Sequence, residues 1–427
     1  MITSPSTRPG PQAIAEGGGA SKSTFLELLA RTVQAAPAGS TSKAAARTPD
    51  VAHEAGITAT GVKRESRLPG YLREAEYYWR DRQQWLEAQG YMLRPRYRPD
   101  WKPSWEGTKK SWFDCEDGTG FGVSHLVDAT RIRDGKLVML KQISKSVHPY
   151  EADICQFFAS EPLASDSRNH CVLLIEVLQD PEDDNIHILV MPFLRPHNDP
   201  PFQTVGEIVE FFRQIFEGLH FMHQHRVAHR DCMVMNIMMD PEPMFPNLYH
   251  PIFTDEKRDL SGKARYYSRT ERPTKYYLID FGLSRKYNAD NLSPRELPII
   301  GGDKTVPEFQ GEKYDEASDP FPTDVYYVGN MIRQYYLQSY MGLDFMDVLI
   351  ANMTEADPAK RPTMLEVEKR FEVIRSALTS RTLRRRLVGR EEHAMSRLFF
   401  DTKHFIISAG YIVRRLPAVP RPVARKS

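Results

Sequence analysis

Two short polar stretches carry the side chains best suited to chemistry. The run 229–236, HRDCMVMN, presents one carboxylate, Asp231, and one amide, Asn236, five residues apart. A carboxylate in a tight loop can accept a proton, and amide and carboxylate oxygens are the donors that a hard cation takes. Further along, the apolar run YYLIDFGLS (276–284) ends on Asp280-Phe281-Gly282. Either stretch alone is an ordinary solvated turn. The two in this order, each beside an apolar strand pattern, form a more specific signal.

Several elements must position these groups. Residues 206–228, GEIVEFFRQIFEGLHFMHQHRVA, place apolar side chains at helical spacing directly ahead of the first stretch. Ile237, Met238 and Met239 follow it as a short buried strand would. Upstream, DGTGFGVSHLVDATRIRDGKLVMLKQI (117–143) reads as two strands, a turn at Asp134-Gly135, and a third strand ending at Lys141. Its glycines, Gly118, Gly120 and Gly122, fit a plain hairpin turn almost as well as a phosphate clamp. HPYEADICQFF (148–158) reads as a short helix with Glu151 in its first turn and Ile154, Cys155 and Phe158 on its buried side. Residues 168–180 and 186–194 complete the set as a fourth and a fifth strand.

The pattern HRD-x-x-x-x-N followed by DFG resembles the catalytic core of protein kinases. Val138-Met139-Leu140-Lys141 stands where that family has V-A-I-K, and Val306-Pro307-Glu308 resembles its A-P-E. Asp324 in TDVYYVGNMI (323–332) resembles the aspartate that holds the catalytic loop from below. DPAKRPT (357–363) resembles D-P-x-x-R-P, whose Arg361 is expected to pair with Glu308. These last three marks belong to protein kinases and disfavour a small-molecule phosphotransferase. The resemblance covers most of 112–378 and implies an α+β, two-lobed fold with a small β-rich lobe and a large, mainly helical one. With HRDCM and the aromatic-rich entry helix, the chain also resembles the divergent kinase-like proteins of basidiomycete fungi.

What the resemblance implies is transfer of the γ-phosphoryl group of ATP to a protein hydroxyl, most readily serine or threonine. Asp231 would orient that hydroxyl and accept its proton, and Asn236 and Asp280 would hold Mg²⁺. Lys141 and Glu151 would fix the nucleotide phosphates beneath Gly118, Gly120 and Gly122. Val123, the gatekeeper Met191, the hinge residue Leu194 and Met238 are the apolar candidates around the nucleotide. Arg230 would pair with a phosphorylated residue of the activation segment, for which Ser284, Tyr287, Ser293 and Thr305 are candidates.

Three departures bear on the chemistry. The glycines are one residue short of G-x-G-x-x-G, and Met139 replaces a small residue over the adenine. Met233 and Met235 occupy the places where serine/threonine and tyrosine kinases respectively carry a catalytic-loop cation. Losing one such contact costs on the order of 10²–10³ in rate. Lys275 and Lys304 are the substitutes within reach of speculation. A pseudokinase, keeping the fold and the nucleotide without transferring phosphate, is therefore the second reading.

The rest of the chain is bounded by composition. Among 427 residues, 57 are Lys or Arg and 56 Asp or Glu, a balance that gives no reason to expect a nucleic-acid partner. The four cysteines form no C-x-x-C pair, which fits a reducing, cytoplasmic or nuclear setting. No apolar run reaches membrane-span length and no secretory signal is expected. Residues 1–66 are rich in Ala, Ser, Thr, Gly and Pro and read as disordered, with one short helix after the capping box at Thr24. Their GGGASKST (17–24) lacks the glycine before Lys22 that a phosphate loop needs. Residues 67–111 read as an extension, with a helix carrying Tyr71, Trp79, Trp85 and Leu86 that ends near Gly90. The core follows from 112 to 378 and contains a long insert, 241–274, suited to docking or regulation. Residues 379–427 read as a basic tail.

Overall fold

The computed structural model describes residues 70–299 and 302–422; the expected disordered segment, its short helix and the phosphate-loop look-alike lie outside the described residues. Five antiparallel strands make the small lobe, in the order β1 (Tyr91–Leu93), β2 (Leu126–Arg131), β3 (Leu137–Ser144), β5 (Ile186–Pro192), β4 (Glu176–Gln179). Strand side chains alternate between faces. Val138 and Leu140 of β3, with Ile188 and Val190 of β5, bury against Trp79, Leu86, Tyr91 and Tyr97 on the outer face. Leu137 and Ile143 pack inward, into the core shared with the large lobe, and Lys141 has the same parity.

The sheet differs from expectation at its edge. Residues 117–125 form no strand; the first strand is Tyr91–Leu93, paired in register with Ala129–Arg131. The sheet thus takes in residues upstream of 112, where the core was expected to open. Two buried ion pairs tie this upstream segment to the sheet, Arg82 to Asp180 at 2.5 Å and Arg94 to Asp128 at 3.1 Å, and a third, Arg96 to Glu76 at 3.0 Å, holds the segment together internally. The helix expected over 70–90 is broken into α1 (Tyr77–Asp81) and α2 (Gln83–Ala88). Between them Arg82 leaves helical geometry (φ −99°, ψ 1°) while its guanidinium bonds Asp180 and the Tyr78 carbonyl.

α3 (Glu151–Ala159) crosses from the small lobe toward the large one, which is organised on the buried helix α4 (Val205–Gln224). Thr204 caps α4 by accepting the Glu207 N–H at 3.1 Å. α5 (Pro320–Ile332), α6 (Asp347–Met353) and α7 (Met364–Ala377) complete the lobe. A small sheet of β6 (Arg195–Pro196), β7 (Ile237–Met239) and β8 (Tyr276–Leu278) faces the cleft.

The insert between β7 and β8 is packed. Met244, Phe245 and Tyr249 are buried, and the Arg195 guanidinium lies 4.4 Å from the rings of both Phe245 and Tyr249. It also reaches the small lobe, through Glu242 to Lys136 at 3.0 Å and Arg258 to Thr130 at 3.2 Å. The basic tail is structured as well. It contains a long helix, α8 (Ala394–Val413), between its two arginine-rich runs.

Candidate active site

The loop after α4 is held from below by one carboxylate. Asp324, fully buried in α5, accepts the backbone N–H groups of His229 and Arg230 at 2.7 Å each. That clamp keeps Arg230 at a positive φ of 68°, where a non-glycine residue needs its surroundings to hold it. Asn236 then donates its amide N–H₂ to Asp231, 2.9 Å to the carbonyl and 2.8 Å to Oδ2. Its amide oxygen is left as a ligand. Glu308 and Arg361 meet in a bidentate pair at 2.6 and 2.8 Å, which pins the end of the activation segment to the helical lobe.

Across the cleft, Lys141 Nζ lies 2.5 Å from Glu151 Oε1 and 2.7 Å from Asp280 Oδ1. Burial alone would lower the lysine pKa; the charges of Glu151 and Asp280 more than offset it, so the ammonium is retained. Asp280 behaves in the complementary way. Burial would raise its pKa, but Lys141 holds it below the usual carboxylate value. Asp280 adopts φ 65°, ψ 75°, and Phe281 after it is buried between Phe158 (ring centroids 6.2 Å) and His229 (5.5 Å).

Asp231 lies outside that ion network. Burial, its largest influence, raises its pKa, and Asp280 and Asp324 push the same way against His229. Its Oδ1 is buried without a hydrogen-bond partner, as is Glu151 Oε2. An unsatisfied buried acceptor is a place for a hydroxyl or a cation to bind. Asp231 Oδ1, the Asn236 amide oxygen and the second oxygen of Asp280 suit a hard cation and a hydroxyl donor, so the residues present fit both. The backbone at Gly302 passes close above: a Cβ there would stand 3.1 Å from Asp231 Oδ1.

Met139 and Met191 are cross-strand partners on β3 and β5, both half-buried. With Val123 and Leu194 they pack on the edge of the main core, and Met238 is half-buried on β7. The glycine segment is arranged otherwise. Gly118 ends a 3-10 turn (Glu116–Gly118), Gly120 is irregular, and Gly122 lies in an exposed bend, so the expected hairpin is absent. A Cβ on Gly118 would collide with the Trp112 carbonyl oxygen, and one on Gly120 with the Glu76 carboxylate. Close packing requires both glycines, Gly118 against the neighbouring Trp112 turn and Gly120 against Glu76 of the upstream segment.

Arg230 meets an acidic side chain of the chain itself. Its Nη1 lies 3.3 Å from Glu296 Oε2, and Tyr287 donates its hydroxyl to Glu296 Oε1 at 3.0 Å. Ser284 is buried, donating to the His229 carbonyl at 2.9 Å; Ser293 and Thr305 are exposed. Glu296 escaped sequence reasoning because no motif marks it. His148, whose Nδ1 lies 3.2 Å from the Gly282 carbonyl oxygen, escaped for the same reason. Lys275 is not a substitute cation for the loop: it stands 5.6 Å above the Tyr277 ring, with Glu217 and Asp166 as its acidic neighbours.

Comparison with known proteins agrees with this geometry. The sequence model of the family described as "Protein kinase domain" matches residues 118–371. Human NUAK family SNF1-like kinase 2 is 28% identical over 145 residues, which cover 31% of this chain and 23% of that protein. Rat myosin light chain kinase 3 is 30% identical over 169 residues, 37% of this chain and 16% of that protein. The match therefore spans less than a quarter of either relative's length. No described helix is long and apolar enough to cross a membrane.

Proposed function

This chain belongs to the protein kinase domain family, and from that premise we propose that it transfers the γ-phosphoryl group of ATP to a serine or threonine hydroxyl of a protein substrate with Mg²⁺. The observation that carries the reading is Lys141, held 2.5 Å from Glu151 and 2.7 Å from Asp280. Those contacts would set its ammonium where nucleotide phosphates need neutralising.

Asp231 orients the acceptor hydroxyl and takes its proton; a carboxyl with a raised pKa is a better base than an ordinary one once ionised. Asn236 and Asp280 would hold Mg²⁺, which supplies charge neutralisation on the transferring phosphate. The half-buried Met139, Met191, Leu194, Val123 and Met238 would seat the adenine. Gly122, exposed in a bend, stays a candidate for the phosphates. The preference for serine or threonine rests on the family resemblance alone, and Met233 lends it no support.

A second reading is favoured by specific observations. Met233 and Met235 leave Asp231 without a lysine or arginine among its strongest electrostatic neighbours, and Gly302 passes over it. Together they support a nucleotide-binding pseudokinase. Phosphate incorporation from labelled ATP into a generic basic protein, wild type against Asp231→Asn, separates the two. Incorporation lost in the variant supports the enzyme. Equal background in both, alongside a nucleotide-dependent thermal shift, supports the pseudokinase.

Finer parts of the proposal follow. We divide the protein into a segment 1–66, an extension 67–111, the kinase unit 112–378 and a tail 379–427, and place it in the cytoplasm or nucleus. All four cysteines are free and buried, which supports a reducing compartment. The insert 241–274 is proposed as a docking element: Lys257, Arg258 and Arg265, with one acid, Asp259, line a cavity of about 330 Å³, a net positive lining that suits a partner with acidic groups. The HRDCM motif supports affinity with the basidiomycete kinase-like proteins.

A further inference from the structure

The helix α8 is turned inside out. Its polar face meets the protein: Asp401 pairs with Arg386 at 2.7 Å, His404 reaches the Arg384 carbonyl oxygen at 2.8 Å, and the buried Tyr411 donates to Ser268 at 2.7 Å. Those residues recur at helical spacing and fix which side faces inward. The opposite side is apolar and open. Met395, Leu398, Phe399, Phe405, Ile406, Ile412 and Val413 are between 57% and 82% exposed. A folded chain rarely leaves a contiguous stripe of this kind facing water unless something covers it.

We propose that this face pairs antiparallel with the same helix of a second copy of the chain. The stripe repeats every seven residues. Met395, Thr402 and Ala409 fall at one position, and the pairs Leu398-Phe399, Phe405-Ile406 and Ile412-Val413 fall at the other. That period is the one a second helix matches by inserting side chains into the gaps of the first. Thr402 and Ala409 are exposed and small, so the face supplies gaps as well as side chains to fill them.

An antiparallel overlay about the helix midpoint sets Phe399 opposite Ala409, Ile406 opposite Thr402, and Met395 opposite Val413. Two of these pairs set a large side chain against a small one and the third sets two apolar side chains together, so the patch is complementary to itself, as an isologous interface requires. The same overlay brings the exposed Glu391 of one copy to the exposed Arg415 end of the other. The stripe is about 27 Å long at 1.5 Å per residue. Its seven large side chains offer on the order of 800 Å², the amount each partner contributes to a standard interface.

The test is the mass of the full chain in solution, by light scattering after size exclusion, at concentrations up to tens of micromolar. Wild type is expected at twice the mass of one chain. Phe405→Glu is expected at the mass of one chain, with an unchanged far-ultraviolet circular dichroism spectrum because the position is exposed on the folded chain. Glu391→Arg and Arg415→Glu should each weaken the dimer, and the double variant should restore it. A wild type that stays single overturns the proposal, as does a dimer that survives Phe405→Glu. So does a single chain that floats with vesicles of phosphatidylcholine and phosphatidylserine, which would make the stripe a membrane face.

Discussion

Below the cleft, Asp231 and Asn236 hang from a buried network; above it, Gly118–Val123 is held for reasons that have nothing to do with the cleft. The lower half is over-determined. Asp324 bonds two consecutive N–H groups, Asn236 bonds Asp231 twice, and Glu308 bonds Arg361 twice. Each of these contacts involves a charged or amide group whose loss would leave a partner unpaired away from water. The upper half has no such network of its own. Its Phe121 carbonyl is bonded by Arg73, and its glycines yield space to Trp112 and Glu76. A site can thus be rigid on one side and borrowed from a neighbouring packing problem on the other.

The largest test of this contrast is Asp231→Asn. The variant keeps the shape of the lower network, so phosphotransfer should fall by about 10²–10⁴-fold while the melting temperature stays near wild type. A large stability loss instead would mean that the carboxylate serves the loop and not the reaction.

Next comes His197, beneath the same loop. Its Nδ1 lies 2.9 Å from the Ile237 carbonyl, which only accepts, so Nδ1 carries the proton; Nε2 then accepts from Tyr336 at 2.6 Å. Burial lowers its pKa from 6.5 to about 4. Between those values the unfolded chain binds a proton that the folded chain refuses. The contribution is therefore complete above pH 6.5 and is lost as the pH falls toward 4, about 3 kcal/mol in all. Denaturant titrations at both ends should show it, and His197→Gln should remove that share of the pH dependence.

The upper half is tested by glycines. Gly118→Ala should cost about 1–3 kcal/mol of stability through overpacking, while leaving the KM for ATP little changed in the folded fraction. Gly122→Ala should do the reverse, being nearly silent in stability. If Gly118→Ala raised the KM without destabilising, the segment would be a phosphate clamp after all. The smallest effect is expected at Glu296. Glu296→Gln should weaken the hold on Arg230 by about 1 kcal/mol, and should reduce activity modestly if Glu296 serves where an activating phosphate would. Activity that depends on prior phosphorylation in wild type would remove that role.

The same contrast governs what could be read without coordinates. Asp231, Asn236 and Asp280 were legible because each sits in a short motif whose spacing encodes geometry, and Asp324, Glu308 and Arg361 because each stands in a local pattern of its own. The glycines were not, because a glycine permits close approach to anything and does not say to what. The strand Tyr91–Leu93 was hidden for another reason. It is three residues long and its partner begins at Leu126, so its pairing leaves no local mark. The bounds of α8 were not legible because the charge of the tail is concentrated in 381–390 and 413–427, while the seven-residue apolar repeat lies between those runs. Glu296 could have been found only by asking which acid stands near Arg230 in space.

The edge strand has a practical consequence for anyone shortening this protein. Trimming to residue 112, or to the family match at 118, deletes Tyr91–Leu93 and with it the hydrogen-bonding partner of β2. It also uncovers Val127, Ala129, Val138 and Leu140, which rest against the discarded Trp79, Leu86 and Tyr97. An open strand beside bare aliphatic side chains recruits other chains. The shortened protein is expected in the insoluble fraction, whereas one that starts at Gly70 keeps its sheet closed.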